Sequence, residues 1–96
     1  MRLVSVGPSS RPSKKLVATF DINGRKKTTH FGARGMADYT ITHDPHQRAR
    51  YRERHQKDLE TADPTRAGLL AWFILWGDST SRKKNIKAFK RKFRLQ

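Results

Sequence analysis

Eight of the fifteen residues from Arg82 to Gln96 are Lys or Arg, and none is acidic. Lys83, Lys84, Lys87, Lys90, Arg91 and Arg94 are spaced to share the outer surface of one helix, while Ile86, Phe89 and Phe93 recur at i, i+3, i+7. Such a helix docks on a core by its narrow apolar stripe and turns a dense positive field to solvent. The chemistry that field performs is neutralisation of a polyanion with release of its counterions, and nucleic acid is the first partner to consider. An ordinary solvated face mixes signs and gains i,i+4 pairs, which this one cannot do. A basic amphipathic helix can also lie on an anionic membrane, but this stripe is narrow and the chain offers Trp72 and Trp76 to cover it. No membrane partner is expected.

Two further cationic groups join it. On an expected helix beginning at Pro45, Arg50, Arg54 and Lys57 share one side and Arg48 and Arg52 another. One side suits a phosphate backbone, and the other suits pairing with Glu53, Asp58 or Glu60. Arginine favours bidentate and stacked contacts over plain charge. Arg25, Lys26 and Lys27, with Lys14 and Lys15, gather at a hairpin, and a basic β-ribbon can follow a groove or a backbone.

His30, His43, His46 and His55 raise the question of metal-assisted strand cleavage, as in ββα-metal nucleases. The spacing of these histidines with Asp38 and Asp44 matches no defined ligand motif. No Ser-His-Asp, Walker-type or paired-carboxylate pattern supports another reaction. No enzyme activity, metal or cofactor is expected.

The elements that must position these groups are few. Twenty-two Lys and Arg against eight Asp and Glu give a net charge of +14 over 96 residues, 34% of them apolar. That allows one domain with a small core. Cysteine is absent, which removes disulfides and thiolate zinc sites. No secretory signal is legible, and the most apolar window, Ala67 to Trp76, is half the length of a membrane span.

Residues 1–13, with breakers at Gly7-Pro8-Ser9-Ser10 and Pro12-Ser13, read as a flexible basic arm before a single domain over 14–96. Lys15 to Ile22 and Arg25 to Phe31 read as strands joined by Asn23-Gly24, the strongest short hairpin signal. Leu16, Ala18, Phe20 and Ile22 should face the core, and Met36 to Thr42 should be a connector.

Asp44-Pro45-His46-Gln47 starts a helix expected to run to about Leu59, with Tyr51, His55 and Leu59 as its buried stripe. Asp63-Pro64 starts a second, apolar helix through Trp76. Gly77-Asp78-Ser79 ends it and precedes a third, roughly Thr80 to Arg94. The expected fold is α+β, of ββααα order.

The run from Thr29 to Thr40, and within it His30-Phe31-Gly32-Ala33, Gly35 and Asp38-Tyr39-Thr40, resembles the signature of a family of small basic proteins of giant double-stranded DNA viruses. In that family a Lys- and Thr-rich hairpin leads into HFGA-x-G-x-x-DYT. Tyr51, Arg54-His55, Asp63-Pro64, Ala67-Gly68 and Leu75-Trp76 continue the likeness, which covers about residues 15–94. The resemblance implies a viral origin and a compact module in the virion or the infected cell's nucleus or viral factory, not a secreted one. It supplies no reaction.

Within the signature, Gly32 and Gly35 permit sharp turns, and Asp38 and Tyr39 read as a structural knot between hairpin and helices. The function expected is binding of nucleic acid, DNA over RNA, in genome packaging or an accessory role. The alternative is a virion structural protein that meets capsid through Trp72, Phe73 and Trp76.

Overall fold

Three antiparallel strands, not two, begin the chain, in the order β1 (Arg2–Pro8), β2 (Lys14–Ile22), β3 (Arg25–Ala33). The computed structural model describes residues 1–96. The segment expected as an irregular arm supplies β1, which pairs with β2 from Arg2↔Asp21 to Pro8↔Leu16. A bulge between Leu3 and Ser5 leaves Val4 out of register and half exposed, so that Leu3 and Val6, rather than Leu3 and Ser5, fall opposite the core residues Phe20 and Ala18. The expected ββααα order is corrected to three strands and four helices, within the α+β class.

The β2–β3 hairpin forms as its turn residues require. Asn23 and Gly24 both take positive φ, 53° and 82°, and the Asp21 carboxylate accepts the Gly24 N–H. Leu16, Ala18 and Phe20 of β2 and Phe31 of β3 are buried on one face. At the far end of β3, Gly32 (φ 80°) lies so close to the core that an added Cβ would meet Leu75 Cδ1 at 2.7 Å.

The expected connector contains a short helix, α1 (Tyr39–Thr42), capped by Asp38. After it α2 (Pro45–Arg54) is capped by the Asp44 carboxylate, which accepts from the His46 and Gln47 N–H groups. It ends well before Leu59; Gln56–Glu60 is a 3₁₀ turn, whose tighter winding takes Leu59 off the Tyr51–His55 stripe and leaves it exposed.

The apolar helix begins at Ala67, not at Asp63-Pro64, which form the turn before it. Its first turn, α3 (Ala67–Leu70), widens into a π-helical segment (Ala71–Leu75), where the Trp76 N–H reaches back to the Ala71 carbonyl. Leu70, Ile74, Leu75 and Trp76 pack on the sheet face.

The last helix, α4 (Arg82–Lys92), is shorter than expected at both ends and is capped by Ser81. Beyond it the Leu3 N–H donates to the Gln96 carbonyl and the Gln96 N–H to the Met1 carbonyl. The two ends of the chain are therefore paired beside Asp21, at the tip end of the hairpin.

Candidate nucleic-acid interface

The inner face of α4 is set by Asn85, Ile86, Phe89 and Phe93. Phe89 is fully buried, with Ile86 and Phe93 packed against the same core, as the spacing requires. Phe89 and Phe93 lie 4.8 Å apart by ring centroid and both pack on Phe73.

Asn85 is the residue that periodicity did not single out. Its side chain is buried, donates to the carbonyls of Ile74 (2.9 Å) and Ser79 (2.7 Å), and accepts the Ser79 N–H. Each of those groups would otherwise lose its partner at the break between the π-helical segment and α4. Gly77 permits this approach: an added Cβ would lie 2.2 Å from the Phe73 carbonyl oxygen and 2.8 Å from Asn85 Cγ.

The outer face follows from helical geometry. Lys83, Lys87 and Lys90 form one row, and Lys84 and Arg91 the adjacent one. All are exposed except Lys90, which is half-buried. Arg94 lies past the helix end, exposed on a residue of positive φ, 52°. None of the six has a carboxylate within 4.0 Å; the chain's ion pairs all lie elsewhere.

The arginines of α2 divide into two jobs. Arg48 Nε donates to the Gly77 carbonyl (2.7 Å) and its NH2 group to Asp78 (2.7 Å), while Arg52 Nε donates to the Trp76 carbonyl (3.1 Å). Each guanidinium also stacks on a ring, Arg48 over Tyr39 at 5.5 Å and Arg52 over Trp72 at 4.9 Å. These two fasten α2 to the end of the apolar segment, pairing with Asp78 instead of the acids of their own helix. Burial, then the neighbouring Arg48 charge, lowers the pKa of Arg52, with Asp78 opposing. Arg50, Arg54 and Lys57 stay exposed and without acidic partners.

At the hairpin tip, Arg25 and Lys26 are exposed and free of ion pairs. Lys27 donates to the Thr65 hydroxyl (2.9 Å) and so helps hold β3 to the turn before α3. Because Gln96 pairs with Met1 and Leu3 beside Asp21, the C-terminal end of α4 arrives at the same end of the sheet as this tip. Its N-terminal end sits at the other, where Arg82 meets Asp38.

Asp38 is the knot of the signature segment. It is buried, and its carboxylate accepts from Lys15 Nζ of β2 (2.6 Å), the Thr40 N–H (2.9 Å) and hydroxyl, and Arg82 of α4 (3.3 Å). Burial works against its charge, but the Lys15 and Thr40 bonds and the two cations outweigh it and hold its pKa below the usual range. Its two cationic partners are Lys15 and Arg82. Tyr39 packs under α2 beneath Arg48, and Gly35 turns at φ 87°.

The histidines stand apart. His30 Nδ1 is hydrogen-bonded to the Ser9 hydroxyl, His43 closes α1 in a left-handed conformation, His46 lies exposed in the first turn of α2, and His55 stacks on Tyr51. No three His, Asp or Glu side chains converge as metal ligands. One signal was missed altogether: Arg34 donates to the carbonyls of Ser9, Arg11 and Lys14, stapling the β1–β2 connection.

A cleft of about 550 Å³ opens between the signature segment, α2 and α3, with Lys15, Asp38, Gln47, Arg54 and His55 among its lining. The fold and this surface define a small α+β domain whose unpaired positive charge is displayed on α4, one side of α2 and the hairpin tip. Residues 4–55, more than half of the chain, match the model of a family of unknown function (DUF5754), and the chain belongs to that family. The match spans most of β1, all of β2 and β3, α1 and α2, and stops before the apolar segment and α4. No curated protein and no solved structure matches the chain.

Proposed function

We propose that the protein binds nucleic acid through its phosphates, led by α4, with Arg50 and Arg54 of α2, Lys57 of the 3₁₀ turn after it, and Arg25 and Lys26 of the hairpin adding contacts. The observation that carries this reading is the unpaired state of the α4 cations. Lys83, Lys84, Lys87, Lys90 and Arg91 of the helix, and Arg94 just past its end, have no carboxylate within 4.0 Å, although the chain's acids pair elsewhere with Arg48, Arg52, Arg66 and Arg82. A field left unneutralised opposes compaction, and a polyanion relieves it.

Lys27 contributes less than its neighbours, being tied to Thr65. Binding of this kind proceeds by counterion release with little base readout in duplex DNA. If ~6–10 phosphates are engaged, affinity falls by ~10³–10⁵ between 50 and 200 mM salt. DNA as the partner, and a packaging or accessory role, rest on the viral resemblance of the His30–Thr40 segment. The alternative of a capsid interface built on the tryptophans finds less support, since Trp72 and Trp76 are buried within the chain.

A salt titration against duplex DNA, single-stranded DNA, RNA and an acidic polypeptide tests the reading. A steep salt slope on nucleic acid and weak binding to the polypeptide support it; equal weak binding to all four defeats it.

A further inference from the structure

Three rings form a column that runs from the core to the surface. Trp76 stacks on Tyr51 with centroids 4.3 Å apart and planes 6° from parallel, and Tyr51 stacks on His55 at 4.1 Å and 17°. Two rings cannot share one face of a third at these distances, so His55 and Trp76 lie on opposite faces of Tyr51. His55 is the outer end, its side chain 42% exposed, while Trp76 is buried.

The column's outer ring is held in place. Asp58 Oδ2 lies 3.2 Å from His55 Nδ1, and Gly68 of α3 sits so close behind Asp58 that an added Cβ would be 2.8 Å from its carboxylate. His55 and Arg54 line the 550 Å³ cleft, whose wall at Asp58, Ala67 and Gly68 is shared with a second cleft carrying Lys57 and Arg66. A ring held by Asp58, 42% exposed and lining a cleft beside the exposed cations Arg54 and Lys57, has the chemistry of a platform for a base whose neighbouring phosphates meet those cations.

We propose that the outer face of His55 is a stacking site for one unpaired base of a single-stranded nucleic acid, with Arg54 and Lys57 on the adjacent phosphates. This rests on the nucleic-acid reading above and adds a preference to it: the site serves single strands and gives nothing to a duplex, whose bases are already stacked. The cleft beside it, about 550 Å³, has room for a base.

The test compares the full chain with His55→Ala and His55→Phe on three probes of equal length, a thymidine oligonucleotide, a duplex, and an abasic oligonucleotide that keeps the phosphates. His55→Ala should weaken binding to the thymidine strand by ~10-fold or more while leaving duplex and abasic affinity unchanged, and His55→Phe should restore it. Equal loss on all three probes, or loss on none, overturns the stacking site while leaving phosphate binding intact. If the unaltered chain binds none of the probes, the nucleic-acid reading itself falls, and the site with it.

Discussion

Lys15 Nζ on β2 lies 2.6 Å from Oδ2 of Asp38, a carboxylate that is only 1% exposed and also receives Arg82 from α4. One buried acid thus ties the sheet to the first and last helices. Its loss strands two cations, of which Arg82 is the better placed to recover solvent.

Asp38→Ala should therefore destabilise the fold by about 3 kcal/mol, the lower end of the range for breaking a buried pair. Urea denaturation at neutral pH checks this. The pH dependence follows in sign from its lowered pKa: the stabilisation is complete above the ordinary carboxylate range, near pH ~4, and is lost as pH falls through the lower folded-state value. Asp63, held low by its bonds from Thr65, adds to the same acid limb. The limb should be shallower in Asp38→Asn than in the unaltered chain.

At the alkaline end the sign reverses. Burial, with Asp58 nearby, pushes the Tyr51 pKa up to about 12 against a counteracting Arg54. Below about pH 10 folded and unfolded chains both keep the phenolic proton; between about 10 and 12 only the unfolded chain releases it, which favours unfolding. Stability should fall in that window, and Tyr51→Phe should flatten the fall. A spectrophotometric titration should show a phenol ionising near pH 12 that is absent from Tyr51→Phe.

The Asn85 junction gives a third test. Asn85→Ala should cost ~2–3 kcal/mol, because the carbonyls of Ile74 and Ser79 and the N–H of Ser79 lose their partner. Gly77→Ala should be at least as damaging, its clash being with backbone. Thermal unfolding of both variants measures the cost; no change in either would mean that this junction does not hold α4.

The two sets of α2 arginines should separate cleanly. Arg48→Ala and Arg52→Ala should lower stability, since both bind backbone carbonyls of the apolar segment. Arg50→Ala and Arg54→Ala should leave stability within ~0.5 kcal/mol and each reduce the salt slope of DNA binding by about 0.9.

Much of this was legible from local chemistry. Asn23-Gly24 specified the hairpin, Asp44-Pro45 the start of α2, and Ile86, Phe89 and Phe93 the docked face of α4, because each depends only on near neighbours. What escaped notice depended on distant partners or broken periods. β1 was hidden because the bulge at Val4 interrupts the two-residue alternation that marks a strand. The Tyr51–His55–Leu59 stripe failed where the helix tightened after Arg54. Asn85 is polar inside an apolar stripe, and its purpose exists only once the Ile74 carbonyl lies beside it. Asp38 was identified as a knot from its turn-rich setting, but Lys15 and Arg82, 23 and 44 residues away, could not be.

The central claim is that the unpaired charge of α4 meets phosphate. It is tested most directly by the salt dependence of duplex DNA binding in the unaltered chain and in a variant combining Lys83→Gln, Lys84→Gln, Lys87→Gln, Lys90→Gln, Arg91→Gln and Arg94→Gln. These side chains are free of ion pairs, so the variant should fold as before by circular dichroism. The account predicts a much shallower salt slope and a large loss of affinity at low salt. A folded variant with the slope and affinity of the unaltered chain would contradict it.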